Sequence, residues 1–299
     1  MLILFIFLIL LFVLLFISFI SFQIIEHKSR IVAKAVANTH PLWHDSEIFV
    51  EKIAAEWSIQ TFDQLTLKAW YIPADKSTSK YVIVANGYHS IRERIPGLCY
   101  LFHSLGYNVL VPAYRASAES EGKYIGFGWL DRDDYQRWIT EIITQNPAAE
   151  IALMGISMGG ATTMMISGDD LPENVKCFIT DCGYDSVWNE IVYNAKHKFH
   201  LPAFPLVHLV SFWSKICAGY SYKEASAVKQ LAKNTRPILF IHGEKDNFVP
   251  TEMVYRNYAA THAPKELLII ENAGHTQAYE TDISLYRNTV KNFLDKYLG

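Results

Sequence analysis

The chain has 299 residues, a net charge of −3 and 51% hydrophobic residues. Basic and acidic side chains are mixed along it, so the basic stripe of a nucleic-acid-binding protein is missing, and we exclude nucleic acid as a partner. The four cysteines lack Cys-x-x-Cys spacing, which argues against a zinc site or a disulfide framework. They are Cys99, Cys177, Cys182 and Cys217. We predict four free thiols, and the sequence implies no metal and no cofactor.

Residues 1–25 contain no charged side chain and consist almost entirely of Leu, Ile, Phe and Val. A helix of this length crosses a hydrocarbon core of about 30 Å. We therefore predict a single N-terminal transmembrane anchor, with the membrane as a partner. A cleaved signal peptide is the alternative, because the small residues at 35–37 resemble a cleavage site. The apolar run is longer than the apolar region of a signal peptide, and no basic segment precedes it.

The side of the membrane is set by the charges that flank the span. Lys28, Arg30 and Lys34 follow it, and no cation lies before it. The positive-inside rule therefore favours a cytoplasmic location for the domain that follows the span. Long domains can cross a membrane regardless of such charges, so the sequence leaves the side open.

A linker over 26–45 and one domain over 46–299 follow the anchor, because about 265 residues fill a single α/β core. From Tyr81 onwards, strand-like runs alternate with helical ones, which predicts a mostly parallel sheet with helices on both faces. The predicted strands are Ile53–Ile59, Leu65–Ile72, Tyr81–Ala85, Tyr107–Pro112, Ile151–Met154, Val175–Asp181, Pro237–Ile241 and Glu266–Ile270, the first two as an antiparallel hairpin. The predicted helices are Ile91–Ser104, Asp131–Gln145, the stretch after Ser157, Glu252–Ala260 and Ser284–Leu298.

An insertion interrupts this alternation after the sixth strand. More than fifty residues separate Asp181 from Pro237, whereas such connections usually have about 2–6. We predict a small helical cap over about 186–225. Its aromatic side chains either line a substrate pocket or pack the cap against the core. They are Trp188, Tyr193, Phe199, Phe204, Phe212, Trp213, Tyr220 and Tyr222.

The fifth strand leads directly into Gly155-Ile156-Ser157-Met158-Gly159 and a helical stretch. A serine at a sharp strand-to-helix turn has a strained backbone and needs small neighbours, which the two glycines supply. The turn exposes the Ser157 hydroxyl, and the N-terminus of the next helix favours negative charge there. An ordinary glycine-rich turn could have the same five residues. The rest of the chain therefore has to decide between a catalytic serine turn and a structural turn.

Serine needs a histidine to accept its proton and a carboxylate to orient that histidine, in the chain order Ser, acid, His. Asp246 lies in the polar loop after the strand ending at Ile241, and His275 follows the next strand. All three residues lie beyond the carboxyl ends of parallel strands, where open α/β sheets bind ligands. The competing carboxylates are Glu244, Asp181 and Asp185. His242 also follows a strand, and we interpret it as a packed loop residue.

With these residues in place, the chain resembles an α/β-hydrolase, and more narrowly the bacterial hydrolases of serine-aminopeptidase type that carry an N-terminal membrane segment. The resemblance covers residues from Ile48 to the C-terminus. The motifs that carry it are Gly155-Ile156-Ser157-Met158-Gly159-Gly160, Ile238-Leu239-Phe240-Ile241-His242-Gly243 with Asp246, and Gly274-His275. It implies the α/β-hydrolase fold, a mostly parallel sheet flanked by helices, and a Ser157–His275–Asp246 triad.

The resemblance also implies an oxyanion hole. One donor would be the backbone N–H of Met158, and the other that of Tyr88 in Asn86-Gly87-Tyr88, where the superfamily often has His-Gly-x. Asn86 departs from that pattern. Arg115 lies in a loop that resembles the family's Arg-Gly-x-Gly-x-Ser segment with both glycines replaced, and we interpret it as structural.

These features predict a serine hydrolase that cleaves an ester or thioester, of the carboxylesterase or acyl-hydrolase kind, through an acyl-enzyme. The substrate would be a small or acyl molecule. A serine peptidase of the aminopeptidase type is the alternative, and an inactive hydrolase-fold binding protein is the third possibility. The natural substrate and the oligomeric state do not follow from the sequence.

Overall fold

We describe residues 1–27, 37–88, 95–117 and 120–298 of a computed structural model of the chain. The strands are β1 (Ala55–Gln60), β2 (Thr66–Ile72), β3 (Lys80–Ala85), β4 (Asn108–Pro112), β5 (Glu150–Ile156), β6 (Val175–Asp181), β7 (Ile238–Gly243) and β8 (Lys265–Ile270). The helices are α1 (Leu2–Glu26), α2 (Trp43–Glu51), α3 (Pro96–Ser104), α4 (Asp131–Gln145), α5 (Met158–Ile166), α6 (Val187–Phe199), α7 (Leu206–Cys217), α8 (Ala227–Leu231), α9 (Glu252–Ala260), α10 (Ala278–Thr281) and α11 (Ile283–Tyr297).

The described strands form one sheet in the order β1-β2-β4-β3-β5-β6-β7-β8. β1 pairs antiparallel with β2, and β2 with β4. All remaining pairs are parallel. The predicted mostly parallel sheet and its antiparallel start are confirmed. The helix predicted from Ile91 is described from Pro96, and residues 91–94 lie outside the described part.

The apolar side chains of the strands alternate between two buried cores. Ile83, Leu153 and Phe178 belong to one core, which α4 and α5 cover. Val82 and Ile179 belong to the other, which α3 and α11 cover. Because side chains point to opposite faces at every second residue, these nearly uninterrupted apolar runs fill both faces of the sheet. β5 pairs with β3 and β6 near the middle of the sheet, which places the turn after β5 at the centre of its carboxyl edge.

Helix α1 has two parts that differ in their surroundings. It is long and apolar enough to cross a membrane, with a window of mean hydropathy 3.5. Residues 2–17 lie largely outside the domain, whereas Ser18, Phe22 and Glu26, spaced one turn apart, are fully buried. The Tyr220 hydroxyl donates a hydrogen bond to the Glu26 carboxylate over 3.2 Å. The last turns of α1 therefore form part of the domain core.

The insertion after β6 contains α6 and α7, as the cap prediction requires. Trp213 of α7 donates its Nε1–H to Ser18 Oγ over 3.0 Å, and its ring centroid is 5.2 Å from that of Phe19. Tyr220 and Tyr222 are fully buried. The cap thus packs against α1 and the core rather than standing clear of the domain.

Candidate active site

The turn between β5 and α5 holds Ser157 in an unusual backbone conformation, and the glycines at 155 and 159 leave room for it. Ser157 has φ 57°, which is the left-handed region. A Cβ on Gly155 would lie 2.0 Å from the Gly159 carbonyl oxygen, and one on Gly159 would lie 2.1 Å from the Ala85 oxygen. Both positions therefore require glycine. The Ser157 N–H donates to the Asp181 carbonyl over 2.8 Å, which holds the turn against β6.

The three predicted triad residues lie in one hydrogen-bonded chain. Ser157 Oγ is 2.8 Å from His275 Nε2. His275 Nδ1 is 2.7 Å from Asp246 Oδ2. They follow β5, β8 and β7 respectively, at one edge of the sheet, so residues more than a hundred positions apart in sequence come into contact there. This geometry suits a hydroxyl whose proton passes to a carboxylate-oriented imidazole.

The Asp246 carboxylate is buried and held by several donors. Its Oδ1 accepts the backbone N–H of Phe248 at 2.8 Å and of Val249 at 2.9 Å. Burial by itself would raise the pKa of Asp246, but the hydrogen bonds from His242, His275 and the backbone hold that pKa well below its usual range. Asp246 is therefore ionised at neutral pH, as an orienting carboxylate must be.

His242 lies closer to this site than its sequence position indicated. We interpreted it as a packed loop residue, but it belongs to the end of β7 and is fully buried. Its Nε2 lies 2.9 Å from the Val249 oxygen and 3.4 Å from Asp246 Oδ2. The His242 ring therefore contacts both the Asp246 carboxylate and the backbone of the loop that holds it. This role depends on tertiary packing, and the sequence alone did not indicate it.

The competing carboxylates have other partners. Glu244 accepts the backbone N–H of Asn272, and Asp185 accepts a 2.5 Å hydrogen bond from Arg256. Asp181 accepts the Tyr286 hydroxyl over 3.1 Å, and burial raises its pKa to about 6. Among the described residues, Asp246 is the carboxylate within hydrogen-bonding distance of His275.

One predicted oxyanion donor, Met158, directly follows Ser157 in the chain, and the other, Tyr88, lines the same cavity as Ser157. Met158 is the first residue of α5 and is buried. Tyr88 follows β3, lines the same cavity as Ser157, and stacks its ring on that of Phe127 at 5.2 Å. The Tyr88 hydroxyl donates to the Ile25 carbonyl of α1 over 2.6 Å. The loop that holds Tyr88 is thus fixed to the end of the apolar helix.

Asn86 and Arg115 both make structural contacts between elements of the domain. Asn86 is buried and its amide lies 3.4 Å from the Pro112 oxygen of β4. Arg115 forms a two-pronged ion pair with Asp134, with both distances 2.7 Å, and a further contact with Asp63 at 3.0 Å. Its guanidinium is fully committed to these carboxylates, which agrees with the structural interpretation of Arg115.

A cavity of about 600 Å³ opens beside Ser157. The segment before α2 supplies one wall with His40 and Leu42, and α10 supplies Glu280, whose carboxylate pairs with the His40 ring at 2.6 Å. Sequence reasoning missed these wall residues. The other lining residues are Ser46, Gly87, Tyr88, Ile95, Gly97, Leu98, Ile156, Asp181, Phe248, His275, Thr276, Gln277 and Tyr279.

The cap does not line this cavity in the described part of the chain. Of the two alternatives for the cap aromatics, Tyr220 and Tyr222 follow the second, since both are buried and pack the cap against the core. The cap approaches the site in another way. Phe248 stacks on the His275 ring at 4.8 Å, and Lys198 of α6 lies 3.4 Å from the Phe248 ring.

One group of metal-ligand types occurs among the described residues, and it overlaps the site. Cys182, Asp246 and His275 have ligand atoms within 4.8 Å of one another. Burial raises the pKa of the Cys182 thiol well above its usual value, so it remains protonated and a poor ligand. Both His275 nitrogens are already engaged. All four cysteines are free thiols.

The sheet order, the strained serine turn and the inserted cap define an α/β-hydrolase. The family model of the prolyl oligopeptidase family matches residues 97–299. This chain belongs to the prolyl oligopeptidase family and is a serine hydrolase.

Similar proteins share most of the chain's length. The protein YqkD of Bacillus subtilis, described as uncharacterized, is 29% identical over 79% of this chain and 82% of its own. A Pyrococcus furiosus esterase, Pf2001, superposes with a TM-score of 0.68 at 23% identity, covering 89% of this chain and 97% of that one. A Pyrococcus horikoshii acylaminoacyl peptidase superposes with a TM-score of 0.61 at 16% identity, covering 84% of this chain and 43% of that one.

Proposed function

We propose that the protein cleaves a carboxylic ester or thioester, with Ser157, His275 and Asp246 as its catalytic triad. The observation that supports this most strongly is the hydrogen-bonded chain from Asp246 through His275 to Ser157, which ends at a cavity large enough for a small acyl group. His275 Nε2 lies 2.8 Å from Ser157 Oγ, within reach for proton transfer.

In this mechanism, Ser157 Oγ attacks the acyl carbon while His275 Nε2 takes the hydroxyl proton. His275 then gives that proton to the leaving oxygen or sulfur, and the acyl group remains on Ser157. A water molecule, deprotonated by His275, attacks the acyl-enzyme, and His275 returns that proton to Ser157 Oγ as the acyl–oxygen bond breaks and the acid is released. Asp246 stabilises the imidazolium in both half-reactions, since its low pKa keeps it negatively charged.

Negative charge develops on the acyl oxygen in each half-reaction. We propose that the backbone N–H groups of Met158 and Tyr88 bind this oxygen, with the N-terminus of α5 adding its partial positive charge. Loss of one such donor typically costs about 2.7–4 kcal/mol of transition-state stabilisation. The required geometry is supported by Ser157 and Tyr88 lining the same cavity.

The character of the cavity favours an acyl substrate. Leu42, Ile95 and Leu98 give one side an apolar surface, on which an alkyl chain would lie. A peptidase is the second candidate function, because the matching family is that of prolyl oligopeptidase. The two differ in the leaving group and share all the acyl-transfer steps.

Turnover of p-nitrophenyl esters from acetate to dodecanoate, against aminoacyl- and acylaminoacyl-p-nitroanilides, distinguishes these functions. The full chain in detergent is the enzyme, and Ser157→Ala sets the background. We expect ester cleavage well above that background and slow or no anilide cleavage. Turnover of anilides alone would establish the peptidase, and a folded protein that cleaves neither would favour a binding role.

We further propose that α1 is a retained membrane anchor over about 1–25, followed by a linker to about residue 45 and the hydrolase domain. Cleavage near residues 35–37 would remove Phe22 and Glu26 from the core and leave Tyr220 without its carboxylate partner. The intact mass of the protein extracted from membranes tests this. An uncut N-terminus is expected, and a chain beginning near residue 38 would establish a signal peptide.

A further inference from the structure

The apolar surface of the protein continues from α1 onto the cap. On α1, Ile20 and Ile24 remain exposed on the side away from the domain, at 41% and 73%. On α7, Phe212 and Ile216, one turn apart, are exposed at 50% and 63%. We call these four residues the apolar flank. Phe212 is next to Trp213, which contacts Ser18 and Phe19, so the exposed side chains of α7 lie beside α1.

The length of α1 sets how deep this flank lies. Residues 2–17 form the part of the helix that stands clear of the domain, and at 1.5 Å per residue they span about 24 Å. The hydrocarbon core of a bilayer is about 30 Å thick. About four more residues of α1 are needed to cover the remaining hydrocarbon thickness of about 6 Å. The second face of the hydrocarbon core therefore lies near the level of Ile20.

At that level α1 is already packed against the cap. Trp213 Nε1 lies 3.0 Å from Ser18 Oγ, so the middle of α7 is at the same height as residues 18–20. A tryptophan with one polar contact and an apolar ring is typical of the membrane interface. Phe212 and Ile216 expose apolar surface, which is unfavourable in water and favourable in contact with lipid.

We propose that the apolar flank lies in the acyl and headgroup boundary of the bilayer, so that the cap rests on the lipid surface beside the anchor. This rests on the proposed membrane anchoring of α1. The partner is a lipid bilayer, because α7 packs against the spanning helix at the level of Ser18 and Phe19. The docking fixes the orientation of the domain: Tyr88, bound to Ile25, is held close to the membrane surface.

Photocrosslinking of the full chain in phosphatidylcholine vesicles tests this proposal. p-Benzoylphenylalanine replaces Phe212 in one protein, Phe12 on α1 in a second, and Phe62 in a third. Phe12 and Phe62 are exposed at 68% and 65%, which matches Phe212 in residue type and accessibility. After irradiation, mass spectrometry detects lipid adducts and the residue that carries them.

We expect lipid adducts at positions 12 and 212, at least tenfold above those at position 62. Adducts at 12 with a background level at 212 would overturn the docking and leave the anchor intact. Crosslinks from 212 mainly to a second copy would also overturn it and identify a dimer interface. A background level at all three positions would overturn the anchor together with the docking.

Discussion

The two sides of the candidate site come from different parts of the chain. Ser157, Asp246 and His275 lie within residues 97–299, the stretch that the family model matches. His40, Leu42 and the proposed oxyanion donor Tyr88, which line the same cavity, precede that stretch. The first side is held by strand ends of a parallel sheet. The second is held by α2, by the loop after β3 and by the end of α1.

This difference separates reaction type from substrate choice. The strand ends bring the same kinds of side chain together whatever the substrate, so the C-terminal part indicates the chemistry. The N-terminal wall shapes the space that a substrate must fill. Changes to the triad or to the proposed oxyanion donor Tyr88 should therefore affect every substrate equally, whereas changes to His40 and Leu42 should alter the preference among substrates.

The largest expected effect is that of Asp246→Asn. The amide cannot stabilise the His275 imidazolium and favours the wrong tautomer, so kcat should fall about 10⁴-fold for esters of every chain length. Initial rates across the ester series, with circular dichroism to verify folding, measure this. A loss of activity confined to long-chain esters would contradict the assignment of Asp246 to the reaction chemistry. Asp246 would then affect how the cavity accommodates the substrate.

A smaller and selective effect is expected from Leu42→Trp. The larger side chain narrows the cavity, so kcat/KM for decanoate should fall about 10–100-fold, as steric changes of about 1–3 kcal/mol produce, while the acetate ester is nearly unaffected. Leu285→Trp, at an exposed position on α11, is the matched control. Equal losses on acetate and decanoate would contradict the assignment of this wall to substrate choice.

Tyr88→Phe should have a modest effect on all substrates. It removes the hydrogen bond to Ile25, which is worth about 0.5–1.5 kcal/mol, so kcat should fall by up to about tenfold with little change in KM. Tyr100→Phe removes a hydroxyl from α3 as the control. An unchanged kcat would show that the anchor does not support the oxyanion loop.

The smallest effect is on stability and comes from Asp131→Asn. Burial, together with the charge of Asp134, raises the pKa of Asp131 to about 7. The folded state therefore binds this proton more tightly than the unfolded state, so the stability that Asp131 contributes is present below about pH 4 and lost as pH rises through about 7. The amide that replaces the carboxyl group cannot ionise and still accepts from the Gly128 N–H.

Thermal unfolding in detergent at pH 5 and pH 8.5 measures this change. The melting temperature of Asp131→Asn relative to wild type should be higher at pH 8.5 than at pH 5, with ester turnover unchanged. A difference in melting temperature that stays constant with pH would contradict the raised pKa of Asp131. A loss of ester turnover would show that this substitution in α4 affects the active site.

The sequence predicted the C-terminal side well, because its signals are local. Each strand is an apolar run, and the polar residue after it lies at the sheet edge, so Ser157, Asp246 and His275 could be placed together before the structure was known. Their catalytic roles remain predictions. His242 was misplaced, since a strand end and a loop start look alike in sequence.

Apart from Tyr88, the N-terminal side could not be predicted, because its signals depend on tertiary packing. His40 and Leu42 lie in a segment without periodicity, which we expected to be a linker. Helix α1 is apolar on all faces, so periodicity could not distinguish its lipid-facing from its domain-facing side. The polar residues Ser18 and Glu26 were the available signal, since both point into the domain and are fully buried.

The most direct test of the central proposal is fluorophosphonate labelling of the full chain in detergent, with the modified residue located by mass spectrometry. Ser157→Ala and His275→Ala are the variants, and Ser211→Ala in the cap is the matched control. We predict that wild type and Ser211→Ala are labelled on Ser157 and that the other two variants are not. A folded wild-type protein that stays unlabelled, or is labelled at another serine, would contradict the proposed triad.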